Sequence, residues 1–209
     1  MVAYSNSDFR FSSTWTPDDI KMIARDVRLK VITDELKFTI DKSKLRDMPL
    51  SIVKDKYPNA IISGSACLRA FGLIDRESKD FDLIVDKKPN IEFFKNRFDG
   101  EQFFNDTRLG TANIDKNTNK NLGILSFFKN LITPSKMVSV DFFLNNGEPE
   151  YQEVEYEGFT YKFHNPLQIF DKKCQMASTE AEERGSYFSN SIDKHLLDIA
   201  RISMEIKSL

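Results

Sequence analysis

The chain has 209 residues, 40% of them hydrophobic and 30% charged, enough apolar surface for a packed core. Its formal net charge is −2, from 30 basic and 32 acidic residues, so nothing global draws it to a polyanion. No apolar run reaches the roughly 20 residues of a membrane helix. The segment Met1–Asp19 lacks the basic and then apolar regions of a secretion signal, and Cys67 and Cys174 are too few for a disulfide framework or a zinc cage. A reducing cytoplasm is the expected compartment.

Thr16-Pro17-Asp18-Asp19 opens the first predicted helix: a capping hydroxyl, a proline suited to the first helical position, and two acids at the positive helix end. Ile20, Ile23, Val27 and Val31 carry it at helical spacing to about Lys30. A second helix or irregular segment follows, then a short helix near Leu50–Lys56 after Pro49. Ala60-Ile61-Ile62 reads as a buried strand broken by Ser63-Gly64-Ser65. Ala66–Phe71 reads as a helix closed by Gly72, Asp75–Lys79 as a loop and Asp80–Val85 as an alternating strand. Beyond it the pattern predicts a helix from Pro89 to about Phe98, strands at Leu122–Phe128 and Met137–Leu144, and a polar loop over Asn113–Asn121. A hairpin of Tyr151–Tyr156 and Phe159–Phe163 is expected to turn at Glu157-Gly158. A helix over Pro166–Met176, a polar stretch Ala177–Tyr187 and a terminal amphipathic helix Ser191–Ile206 complete the chain.

The chemistry is concentrated around Asp80-Phe81-Asp82-Leu83. Side chains alternate on a strand, so Asp80 and Asp82 share a face, their Cα atoms roughly 6.6 Å apart at about 3.3 Å rise per residue. Phe81, Leu83 and Val85 then fill the core behind them. Two carboxylates on one face repel unless a cation lies between them, and magnesium, a hard ion that favours oxygen ligands and triphosphate, suits them, with manganese as its substitute. A two-metal arrangement calls for a third carboxylate on another strand. Asp141, opposite in facing to Val138, Val140 and Phe142 only by its odd position in Met137–Leu144, is the candidate. Ser63-Gly64-Ser65 lies between a strand and a helix, where glycine lets backbone approach a phosphate and free N–H groups and a serine hydroxyl donate to it.

The glycine-serine turn, the following helix, the Asp-Phe-Asp strand and the later strand aspartate together resemble the nucleotidyltransferase fold of the polymerase-beta superfamily. Pro166–Lys173 and Lys194–Ile199 resemble the helical half of AbiEii-type and related minimal members. The resemblance runs from about Tyr57 to the C-terminus and departs from the family pattern at Ser63, at His195 and in the spacing from Ser65 to Asp80. It implies an α/β (α+β) fold: a mixed sheet of about five strands flanked by helices, with a C-terminal helical part closing a nucleotide cleft. The expected organisation is a helical extension over 1–56, a catalytic core over 57–165 and the helical part over 166–209.

What the resemblance implies chemically is transfer of a nucleoside monophosphate from a nucleoside triphosphate to an acceptor hydroxyl. Asp80, Asp82 and Asp141 would act as metal-holding catalytic acids, with Ser63, Gly64, Ser65, Lys79, Lys172 or Lys173, Lys194 and Asp198 around the nucleotide. RNA, in particular a tRNA 3′ end, or protein is the expected acceptor. A small antibiotic-like molecule and a non-catalytic nucleotide- or partner-binding relative are the alternatives, and a neutralising protein partner or antitoxin has no sequence signal of its own. No membrane partner is expected. Each residue also has a plainer reading: solvated strand acids for the aspartates, a solvated helix face for the lysine pair, helix packing or a salt bridge for Asp198. Structural roles are expected for His164 and His195, and burial for both cysteines.

Overall fold

The computed structural model describes residues 15–90, 96–103, 106–115, 137–147, 149–184 and 190–209. It is a mixed α/β structure whose described strands form one seven-stranded sheet. The strands are β1 (Ile61–Ile62), β2 (Asp80–Val85), β3 (Asn96–Phe103), β4 (Asp106–Asp115), β5 (Met137–Asn145), β6 (Tyr151–Tyr156) and β7 (Phe159–His164), in the order β3-β4-β5-β2-β1-β7-β6. β2 runs parallel to β5 and β1 parallel to β7, and the remaining neighbours are antiparallel.

Period-2 alternation sorts this sheet into two faces. Phe81, Leu83 and Val85 of β2, Val140 and Phe142 of β5, Ile62 and Phe163 are all buried on one of them. Helix α3 (Leu50–Lys56) buries Ile52 and Val53, and Tyr57 just beyond it meets the Phe142 ring edge-on at 5.1 Å. Helix α4 (Gly64–Ala70) buries Cys67, Leu68 and Ala70, and α2 (Lys42–Leu45) is capped by the Asp41 carboxylate. The β6–β7 turn has both central residues left-handed, Glu157 at φ 49° and Gly158 at φ 71°, the twist that suits a two-residue hairpin.

Chain contacts gather the molecule into two units, Phe38–Ile169 with the whole sheet, and Phe170–Leu209 with the described part of Met1–Lys37. The second unit holds α1 (Pro17–Thr33), most of α5 (Pro166–Arg184) and α6 (Asn190–Ser208). Ile20 and Val27 on α1, Phe170, Cys174 and Ala177 on α5, and Ile199, Ile202 and Ile206 on α6 are buried at helical spacing. Two ion pairs tie these helices: Arg28 reaches both oxygens of Asp171 at 2.8 Å, and Lys173 pairs with Asp198 at 2.8 Å. Among the described residues, no helix is long and apolar enough to cross a membrane.

Several expectations are met: the capped start of α1, the α3 helix, β1, β2, β5 and the hairpin. Others need correction. The sheet has seven strands rather than about five. Residues 96–98, expected to end a helix from Pro89, are extended in β3, while 91–95 lie outside the described residues. Asn113–Asp115, read as loop, continue β4, because each finds a pairing partner on β5. The stretch from Ala177 to Arg184 is helix, since α5 runs on through it. The strand expected at Leu122–Phe128 lies outside the described residues.

Candidate functional site

The sheet's second face carries a row of polar side chains running across the strands. Asp82 on β2 is the direct partner of Asp141 on β5, and Asp141 is in turn the partner of Thr111 on β4. On the other side of Asp82 the Ser63 N–H donates to the Asp82 carbonyl at 2.9 Å, and Ser63 meets His164 at the end of β7. Neighbouring strands lie roughly 4.8 Å apart, so cross-strand partners on one face are within side-chain reach. Asp80, two residues back, sits in the next row with Ser139 as its partner.

Gly64 fixes one wall of this row. Its φ is +63°, and a Cβ built there would fall 1.6 Å from Asp82 Oδ2. The Asp82 carboxylate therefore rests against a bare α-carbon, in a space that only glycine leaves open. Beside it, Ser63 Oγ lies 2.8 Å from His164 Nδ1, and His164 Nε2 lies 2.9 Å from Gln168 Oε1. Gln168 Oε1 also accepts the Glu150 N–H, which identifies it as the amide oxygen. His164 Nε2–H therefore donates to Gln168, and in the neutral ring Nδ1 accepts the Ser63 hydroxyl. The Cys67 thiol, its pKa pushed well up by complete burial, donates to the His164 carbonyl at 3.2 Å. His164 is thus a structural clamp between β7 and the glycine turn.

Asp141 is held from the opposite side. It is 7% exposed, its Oδ1 accepts the Thr111 hydroxyl, and its Oδ2 pairs with Arg108 Nη2 at 3.2 Å. A bulge puts Arg108 there. Thr111 and Arg108 are three apart and would face opposite ways on a regular strand, but Arg108 pairs with Phe143 and Gly110 with Phe142, leaving Leu109 as the extra residue. That one insertion turns Arg108 onto the face of Asp141.

At the starting ends of β2 and β5 a cavity of about 300 Å³ opens beside Asp80, with Arg69, Ser78, Lys79 and Ser139 among its lining residues. Ser65 is buried, and its hydroxyl accepts Arg76 Nη2 at 2.7 Å. The sheet unit thus brings together Ser63, Gly64, Asp80, Asp82 and Asp141, with Ser65 and Lys79 at the margins. Lys172, Lys173, Lys194 and Asp198 belong to the other unit, where Lys173 and Asp198 neutralise each other in a pair with side chains 8% and 2% exposed.

Arg108, Thr111 and Gln168 had no place in the sequence expectations, whereas the structural role expected of His164 is what the geometry shows. Gly110 inside β4 was the one signal, since glycine within a strand marks a bulge. Among the described residues no three His, Cys, Asp or Glu side chains gather closely enough to hold a metal ion, and both Asp141 oxygens are engaged by β4, on the side away from β2. The oxygen-only donors Asp80 and Asp82 on one face do suit a hard divalent cation. No protein-family model matches the chain, and neither a curated protein nor a solved structure does.

Proposed function

We propose that this protein is a metal-dependent nucleotidyltransferase of the polymerase-beta type, moving a nucleoside monophosphate from a nucleoside triphosphate to an acceptor hydroxyl. The observation that carries this reading is the direct cross-strand register of Asp82 with Asp141, with Asp80 on the same face and the bare Gly64 against Asp82. Asp80 and Asp82 would hold magnesium, and Asp141 would join them on turning towards β2. Bound there, magnesium would draw charge from the phosphates and favour ionisation of the acceptor hydroxyl.

The chain's own part is positional. Gly64 leaves the space in which the Asp82 carboxylate sits, and the His164 relay keeps the turn that presents Gly64 in place. Lys79, lining the cavity beside Asp80, offers a positive charge to departing pyrophosphate. The acceptor oxygen attacks the α-phosphorus, the bond to the bridging oxygen breaks, and pyrophosphate leaves. RNA or protein is the acceptor class we favour, on the resemblance alone.

Incubation with each α-labelled nucleoside triphosphate, magnesium, and total tRNA or cell lysate tests this. Label on RNA or protein that is lost in Asp82→Ala supports the reading and names the acceptor class. Tight nucleotide binding without label on any acceptor would replace it with a nucleotide-binding relative that does no chemistry.

A further inference from the structure

The third candidate aspartate, Asp141, is already occupied by the protein itself. Thr111 takes one oxygen of Asp141 and Arg108 the other, both from β4, the strand that flanks β5 on the side opposite Asp82 and β2. The arrangement is built rather than incidental, because the bulge at Leu109 is what carries Arg108 to this face, and its Nε is buried there. A guanidinium binds a phosphate as readily as a carboxylate, in the same forked geometry.

We propose that Arg108 is a substrate-operated latch. It holds Asp141 away from β2 until the phosphate chain of a nucleotide takes over the guanidinium, and the freed carboxylate then turns towards Asp82. The site would so complete itself only around bound nucleotide, and a divalent ion alone would meet Asp80 and Asp82 but not Asp141. This rests on the nucleotidyltransferase reading, and Arg108 acts in it as a positioning residue.

Manganese binding without nucleotide, followed by the electron paramagnetic resonance of the free ion, tests the latch in wild type, Arg108→Gln and Arg108→Lys. Arg108→Gln should bind manganese more tightly, on the order of tenfold, the worth of one charge-assisted hydrogen bond, with Arg108→Lys between. Equal binding by all three overturns the latch and leaves the enzyme reading standing. A second arm uses wild-type protein, should the glutamine variant not fold. The Arg108 Nε–H resonance, assigned by its loss in Arg108→Lys, should move when magnesium and a non-hydrolysable α,β-methylene nucleotide are added, and an unmoved resonance at saturating nucleotide overturns the latch. Failure of every protein to bind either manganese or nucleotide removes the enzyme reading and the latch with it.

Discussion

Gly64 faces two separate demands, and each alone would exclude another residue. Its positive φ disfavours any side chain, and a methyl group there would collide with the Asp82 carboxylate. Gly64→Ala should therefore cost roughly 2–4 kcal/mol in urea unfolding, above the range of an ordinary surface change. Combining it with Asp82→Ala should return part of that loss, since the collision goes while the backbone strain remains. A double variant as unstable as the two single losses summed would mean the contact carries no energy. Lys173 and Asp198 make a different residue-level case, because the two opposite charges are buried together as a pair. Lys173→Met alone should cost about 3–5 kcal/mol by removing the positive charge beside a buried carboxylate. Lys173→Met with Asp198→Leu should unfold at higher urea than Lys173→Met alone.

At the scale of the element, α1 illustrates how far local chemistry decides structure. Thr16 and Asp19 form a reciprocal capping box, and these bonds hold the Asp19 carboxyl below its ordinary value of 3.8. A carboxyl with a lowered folded pKa stabilises above its unfolded value and loses that contribution as pH falls through the folded one. The gap in melting temperature between wild type and Asp19→Asn should thus be present near neutral pH and close below 3.8. A gap unchanged in acid would show that the cap works through shape rather than charge. The capping signal, the Asp80–Val85 alternation and the Glu157-Gly158 turn were legible because each depends on neighbours in sequence. β3 and β4 were not, because their polar, glycine-bearing segments become strands only by pairing outwards from β5. The same holds for Arg108: its facing depends on a bulge, which period-2 reading cannot anticipate. The end of α5 does carry a local signal, since Ala and Glu around 180–183 are good helix formers as well as polar surface.

For the molecule as a whole, the two units carry one buried cysteine each, Cys67 among the sheet's helices and Cys174 on α5. Burial pushes the Cys174 thiol up to about 12 and Cys67 well above its usual range. Neither should react with a disulfide reagent near pH 8 while folded, because the thiolate is the reactive species. Modification of Cys67→Ala and Cys174→Ala variants should then report the opening of one unit apiece. Unequal rates would mark units that open independently, and one shared rate a single cooperative opening.

The polar row has a bearing on when in folding the candidate site comes into being. Its members arrive from four strands and the turn after β1, and Ser63 must find His164 across 101 residues of chain. Contacts so remote in sequence form late, after the cost of closing long loops has been met. A nascent chain that has made its helices and its hairpin still has no row. Ligand affinity in this protein would therefore serve as a proofreading signal of completed folding, silent in every partly assembled sheet.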